Sequence, residues 1–439
     1  MAACTRPYYL YRKMCTCTEW RKKMTSKKRL LDALNHRESD RIPVDFGGTI
    51  CSCMHITCVA ALRDYYGLEK RPVRLYEPFQ MLGLIEDDLK EALGVDVEGV
   101  GGRTNMFGVK NENWKEWRLD NGLEVLVPGN FKTTEDEDGN HYMYPCGDCT
   151  ARPSGKMPKN GCYFDNLSRQ IPFEDEEELD PEDNLEEFRY TSDEVLDEFT
   201  EDILLAEKTS RGVVVNFGGM GLGDAALVPG PGMKNPKGIR DVAEWYMATV
   251  SMPEYVRYIF DRQTDIALVN LEKLRERAGD RIDVMFICGT DFGTQNSTFC
   301  SARTFRELYM PYYKKINTWI HENTGWKTFK HCCGAIEPFI PLFIESGFDI
   351  LNPVQCSAAG MDPVTLKQKY GRDIVFWGGG VDTQKLLPFG TPEEIREQVK
   401  ERCEIFGKDG GFVFNAIHNI QAKTPIENIA AIFEALKEI

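Results

Sequence analysis

The sequence predicts a (β/α)8 TIM barrel, an α/β fold. Eight short β-rich runs recur along the 439 residues. Most are followed by glycine or polar residues and then by a helical pattern, and several, such as Val213-Val214-Val215, are apolar without alternation. Strands that alternate with helices pair in parallel, strands buried on both faces lose the polar alternation, and eight such units close into a barrel.

Taken in order, the strand runs are residues 42–46, 95–100, 212–217, 283–288, 327–330, 349–354, 374–377 and 411–415. Helical patterns stand between the later ones, at 302–323, 336–346, 363–370 and 392–406, and a capped amphipathic helix opens the ordinary part of the chain at 26–34. The first 23 residues differ. They carry six Lys or Arg against one Glu inside a chain of net charge −16. They lack the continuous apolar core of a secretory signal, so residues 1–23 read as a disordered extension or a start assigned too far upstream. The barrel domain then runs from 24 to 439, with an insertion at about 113–200. Within it, turn signals at Asp120-Asn121-Gly122 and Glu137-Asp138-Gly139-Asn140 separate alternating segments at 123–127 and 141–144, an inserted β-meander able to cap the barrel mouth. The acidic stretch 174–202 reads as a helical, solvated face.

Composition narrows the function. No apolar run reaches the ~18 residues of a membrane span. A net charge of −16 argues against a nucleic-acid partner, which needs clustered Lys and Arg. Fifteen cysteines in a chain this long, several inside apolar runs, suit thiols kept reduced in a cytoplasmic protein. The sequence leaves a homo-oligomer open.

In a barrel of this kind the functional rim is built from residues that directly follow the strands. Those positions hold Gly47-Gly48, Gly218-Gly219, Gly289-Thr290-Asp291-Phe292-Gly293, His331-Cys332-Cys333-Gly334 and Gly378-Gly379-Gly380. Any one of these glycines is accounted for by a tight turn; their repetition at one rim supports a pocket. His331 and Cys333, two apart at a strand end, project to the same side, which leaves Cys332 a buried thiol. With His418 shortly after the eighth strand they make a three-ligand set for zinc with one open position, as catalysis requires. Asp291 is the candidate catalytic carboxylate, to orient a ligand histidine or hold substrate, or simply to cap a helix. Asn216, Gln295, Asn352 and Trp377 are candidates to face substrate, with strand-end Asn also able to satisfy turn backbone and Trp able to serve as core. Cys146-Gly147-Asp148-Cys149, with Cys162, is a weak second metal knuckle, because a CxxC lacks a matching pair.

Four segments carry a family resemblance: residues 76–83 (Tyr-Glu-Pro-Phe-Gln-Met-Leu-Gly), 291–295 (Asp-Phe-Gly-Thr-Gln), 331–334 (His-Cys-Cys-Gly) and 424–429 (Thr-Pro-Ile-Glu-Asn-Ile). They resemble the uroporphyrinogen decarboxylase superfamily, most closely its zinc-dependent, corrinoid-linked methyltransferase branch. The resemblance covers nearly everything from Met24 onward except the insertion. It implies a (β/α)8 barrel, zinc, a small methylated substrate and a cobalamin supplied by a corrinoid protein. In that branch a His-x-Cys pair is followed by a later cysteine ahead of Thr-Pro-x-Glu-Asn; His331 and Cys333 match the pair, and His418 stands where the cysteine is expected. Uroporphyrinogen decarboxylases grip substrate carboxylates with an arginine-rich N-terminal segment, and residues 41–49 (Arg-Ile-Pro-Val-Asp-Phe-Gly-Gly-Thr) lack that set. None of the six histidines has Asp two residues before it, so the chain carries no Asp-x-His-x-x-Gly corrinoid motif and the cobalamin belongs on a partner. The resemblance implies an O-demethylase-type enzyme that moves methyl from an aromatic methyl ether to cobalamin. The alternatives are a methylcobalamin:thiol methyltransferase, a decarboxylase and a non-catalytic zinc-binding barrel.

Overall fold

The computed structural model describes residues 24–185 and 188–439; the basic segment 1–23 lies outside the described residues. Seven parallel strands follow one another around the sheet: β2 (Val97–Val100), β3 (Gly212–Val215), β4 (Val284–Cys288), β5 (Lys327–His331), β6 (Ile350–Asn352), β7 (Val375–Trp377) and β8 (Phe412–Val413). Residues 43–45, here β1, close the ring. Phe414 N donates to Pro43 O at 2.8 Å, Asp45 N to Phe414 O at 2.9 Å, and Asp96 N to Val44 O at 2.8 Å. All eight strand positions read from the sequence are therefore occupied by barrel strands, and the barrel fold is as expected.

The seam that β1 closes is short, and charge reinforces it. The fully buried Asp96 carboxylate accepts from Arg29 Nη1 and Arg41 Nη1, both at 2.6 Å, and from Val44 N at 2.9 Å. Arg29 lies on the opening helix Ser26–Leu34, whose N-terminus Thr25 caps, so one carboxylate ties that helix to the first two strands. Val213, Val214 and Val215 are all buried, with side chains inside the barrel and under the helices by turns. The outer helices start where the sequence places caps: Asp362 before Pro363–Tyr370, and a Thr391/Glu394 capping box before Pro392–Gly407.

The insertion differs from a simple meander. Lys115–Arg118 and Glu124–Val127 form a hairpin, and the second pairs in parallel with Val73–Glu77, so this half joins an earlier segment. Thr133–Glu135, His141–Met143, Gly155–Met157 and Asp165–Asn166 form a separate antiparallel sheet. The acidic stretch is also corrected. Only Asp193–Glu207, capped by Ser192, is α-helix; the part before it holds the short 3-10 turns Glu176–Glu178 and Pro181–Leu185. Nor is it only a solvated face, since Leu196, Phe199, Ile203 and Ala206 are buried against the barrel.

Candidate metal centre

Strand register sets the site. His331, the last residue of β5, is paired with Asn352, the last residue of β6. His331 Nδ1 lies 2.6 Å from Asn352 Oδ1, while Asn352 Nδ2 donates to Trp377 O at 2.8 Å. With the amide nitrogen committed to a carbonyl, Oδ1 is the acceptor, so Nδ1 carries the imidazole proton and Nε2 is left with a free lone pair. That Nε2 is 3.4 Å from Cys333 Sγ. The turn that presents Cys333 is held by Asp291, whose Oδ1 accepts from Cys333 N at 2.6 Å. It depends on Gly334, at φ +94°, where a Cβ would sit 2.5 Å from the Gly293 carbonyl carbon. Below, the buried Lys330 ammonium donates to Thr290 O and His331 O and lies 5.1 Å from the Phe292 ring centroid, linking the loops after β4 and β5.

His418 follows β8, its ring 5.5 Å from that of His331 and inclined by 72°. The donor atoms of Cys51, His331 and His418 all lie within 4.8 Å of one another, and those of Asp291, His331 and Cys333 do the same. The trio expected from the sequence is thus divided: His331 is common to both sets, with Cys333 in one and His418 in the other. Cys51 is the donor that sequence reasoning missed. Its signal was its place just beyond Gly47-Gly48 at the end of the first strand, on the same rim. Among the described residues no other His, Cys, Asp and Glu cluster is arranged to hold an ion. Cys146 and Cys149 are exposed, and Cys162 instead offers its carbonyl to His55 Nε2 at 2.8 Å.

The electrostatics suit a cation. Burial lowers His331 and His418 to about 4, so both imidazoles are neutral and ready to ligate. Burial pushes the Cys51 and Cys333 thiols well up, helped by nearby Asp224 and Asp291, and burial also raises both of those carboxyls. Each potential anion is held toward its neutral form, a pattern that a divalent ion would reverse. Two imidazoles and two thiols, one imidazole with a fixed tautomer, fit zinc.

Two openings flank the cluster. A cavity of about 370 Å³ is lined by Ile50, the residue before Cys51, and by Asp224, Gly289, Phe199, Phe217 and Asn216, but by none of the donors themselves. Phe199 and Phe217 stand edge to face at 5.0 Å. The cavity's guanidinium, Arg103, is engaged by Asp202 at 2.7 Å and Glu201 at 3.0 Å. Glu77, buried in the wall, is pushed up to about 7 by burial and accepts from Phe79 N and Gln80 N. A second opening, a cleft of about 390 Å³, exposes Cys333, His418 and Gln295, the last bonded to Gln384 at 3.1 Å. Asn216 and Gln295 therefore face different openings. The β-rich half of the insertion borders neither, since Trp117, Leu119 and Met157 line a separate cavity beside the helix Ile56–Tyr65, whereas Val195, Glu198 and Phe199 of its acidic half line the first.

Two expected substrate residues have other jobs. Asn352 is fully buried behind His331, occupied by that imidazole and by Trp377 O. Trp377 is fully buried, its Nε1 donating to Asp45 Oδ2 at 2.8 Å and its ring edge to face with Phe329 at 5.2 Å. Both sit on strands, where alternate side chains turn inward into the barrel core.

Comparison with known proteins agrees with the fold. Residues 233–439 match the uroporphyrinogen decarboxylase (URO-D) family model, a stretch that contains β4 to β8, His331, Cys333 and His418. A methylated-thiol–coenzyme M methyltransferase of Methanosarcina mazei is 28% identical over 202 residues, 46% of this chain and 48% of that protein. A uroporphyrinogen decarboxylase of Psychromonas ingrahamii is 26% identical over 180 residues, 38% of this chain and 47% of that one. Another, from Coxiella burnetii, is 36% identical over 107 residues, 22% of this chain and 29% of that one. The chain thus spans about half or less of the length of these curated relatives. A solved methyltransferase from Methanosarcina mazei shares the fold across 95% of this chain and 99% of its own, at TM-score 0.52 and 15% identity. Over residues 233–439, a little under half of the chain, the sequence is thus similar to the uroporphyrinogen decarboxylase superfamily.

Proposed function

We propose that the chain is a zinc-dependent methyltransferase of this superfamily, taking a methyl group from a small methylated substrate and delivering it to the cobalamin of a separate corrinoid protein. The favoured donor is an aromatic methyl ether, and the setting is the reducing cytoplasm. The observation that carries the reading is the cluster of neutral imidazoles and thiols at the barrel mouth, beside a cavity with aromatic walls. Zinc, when bound, supplies Lewis acidity toward the substrate atom that bears the methyl group. The chain's own residues do the rest. His331, Cys333 and His418 hold the ion; Asn352 keeps the His331 Nε2 lone pair pointed at it; Asp291 fixes the turn that carries Cys333. Phe199 and Phe217 offer faces and edges to a flat ring, and Asn216 offers a hydrogen bond to its substituents.

A second reading is favoured by the Methanosarcina mazei relative, whose name specifies a methylated thiol and coenzyme M. In that case the substrate is a thiol or thioether at the same site. Porphyrinogen decarboxylation is disfavoured. A substrate rich in carboxylates needs unpaired guanidinium groups, whereas Arg103 is already neutralised and Glu77 and Asp224 line the same cavity. The test is to incubate zinc-loaded protein with cob(I)alamin and a panel of methoxyarenes, methylamines and thioethers, following methylcobalamin by absorbance. Turnover of a methoxyarene, lost in His331→Ala and Cys333→Ala, supports the first reading. Methylcobalamin consumption only with a thiol moves the assignment to the second, and no methyl transfer in either direction refutes both.

A further inference from the structure

We propose that Cys51 is a fourth protein ligand of this centre, so that the resting site is closed by two imidazoles and two thiolates rather than left open on three donors. Such a role presupposes that the site holds a metal, and the experiment below separates the two claims.

The placement of Cys51 is built rather than incidental. Its Sγ lies within 4.8 Å of a ligand nitrogen of His331 and of His418. The loop that carries it is pinned on both sides by Asn419, the residue immediately after His418. Asn419 Oδ1 accepts from Cys53 N at 2.7 Å, and Asn419 Nδ2 donates to Ile50 O at 2.8 Å. The two backbone contacts straddle Cys51, so one side chain sets the spacing between donors 51 and 418. The loop is closed further by Gly47 N donating to Ser52 O at 2.8 Å. The neighbouring thiol of Cys53 is committed elsewhere, donating to Thr49 O at 3.1 Å. Cys51 is therefore the thiol of this loop left to face the imidazoles.

Chemistry supports the same assignment. A buried thiol next to carboxylates is a poor thiolate by itself and becomes one when a divalent ion takes its proton's place. Two histidines and two cysteines around one ion make the tetrahedral N2S2 set that zinc favours. Cys333 does not fall in one set with Cys51 and His418, so the four donors close on one ion only if the loop that carries Cys51 and the turn that carries Cys333 draw together around His331. Asp291 then stays outside the coordination shell, holding Cys333 N. The arrangement also bears on substrate entry. Ile50, next to Cys51, forms part of the cavity wall and is 38% exposed. For zinc to act on a substrate atom Cys51 must leave it, and a molecule entering the cavity meets the loop that carries Cys51, whereas His331 and Cys333 are anchored at the end of β5.

The test counts sulfur ligands. X-ray absorption at the zinc edge of the wild-type protein should show two sulfur and two nitrogen donors. One sulfur with oxygen in its place overturns the proposal while leaving the metal centre intact. Cobalt(II) substitution gives an independent readout. Cys51→Ser and Cys333→Ser should each lower the thiolate-to-cobalt charge-transfer absorbance to about half, as loss of one of two thiolates requires. Asn419→Ala should lower the share due to Cys51 while leaving that of Cys333 unchanged. Full absorbance in Cys51→Ser, with loss confined to Cys333→Ser, refutes the role of Cys51. If wild-type protein binds neither zinc nor cobalt, the metal reading itself fails. The wild-type zinc spectrum needs no substitution, so the count does not depend on whether a variant folds.

Discussion

Asn352→Leu is the sharpest test of how the fold prepares His331. The substitution keeps the side chain's size and removes both hydrogen bonds. It leaves His331 Nδ1 and Trp377 O, now bonded to Asn352 at 2.6 and 2.8 Å, without partners in a fully buried position. Each buried polar group left unsatisfied costs about 1–3 kcal/mol, so the fold should lose about 2–4 kcal/mol after the apolar gain of leucine is set against it. The metal should lose more than stability. Without an acceptor at Nδ1 the imidazole can place its proton on Nε2 and rotate, and such outer-shell losses typically weaken metal affinity about 10–100-fold. Zinc affinity measured by competition with a chromophoric chelator, alongside urea unfolding of the metal-free protein, checks both. If Asn352→Leu binds zinc within about threefold of wild type, then Asn352 neither selects the His331 tautomer nor holds its Nε2 for the ion.

Three further outcomes follow from the same structure. In metal-free protein His331 and His418 are held at about 4 against an ordinary value of 6.5, so acidification through that window protonates them in the unfolded chain first and removes stability, about 3 kcal/mol for each imidazole. The buried carboxyls Glu77 and Asp45, pushed up to about 7 and about 6, act in the opposite sense, so the comparison must be between proteins. His418→Gln should lose less stability than wild type when urea unfolding is repeated at about pH 4.5 rather than about pH 7; an equal loss refutes the assignment. Asp96→Ala removes the shared partner of Arg29 and Arg41 at the barrel seam and should destabilise by about 3–5 kcal/mol in denaturant melts, a change under about 1 kcal/mol counting against the seam as a source of stability. Trp377→Phe strips the hydrogen bond from Asp45 and should lower the melting temperature while leaving KM for a methoxyarene unchanged, whereas Phe217→Ala should raise KM; the reverse pattern would put Trp377 back in the cavity.

The sequence by itself determined the strand count, the parallel barrel and the rim on which the site is built. Short apolar runs ending in glycine or polar residues report burial on both faces and the turn that follows, and each signal is local. The turn residues of the insertion were legible for the same reason: Gly122 and Gly139 adopt φ of +85° and +83°. His331 and Cys333 also announced themselves, because two donors two apart at a strand end share a side whatever the rest of the fold does. Only the tertiary structure decided what lies across from them. Cys51 and His418 are separated by most of the chain and meet because β1 and β8 are neighbours where the barrel closes. Asn352 and Trp377 became a clamp and a core residue through the register of β5, β6 and β7 and the closure at Asp45, and the acidic stretch surrendered Phe199 to the cavity wall. Contacts between strands depend on which edges join and in what register, and a linear pattern that reports each strand's burial carries no record of its neighbour.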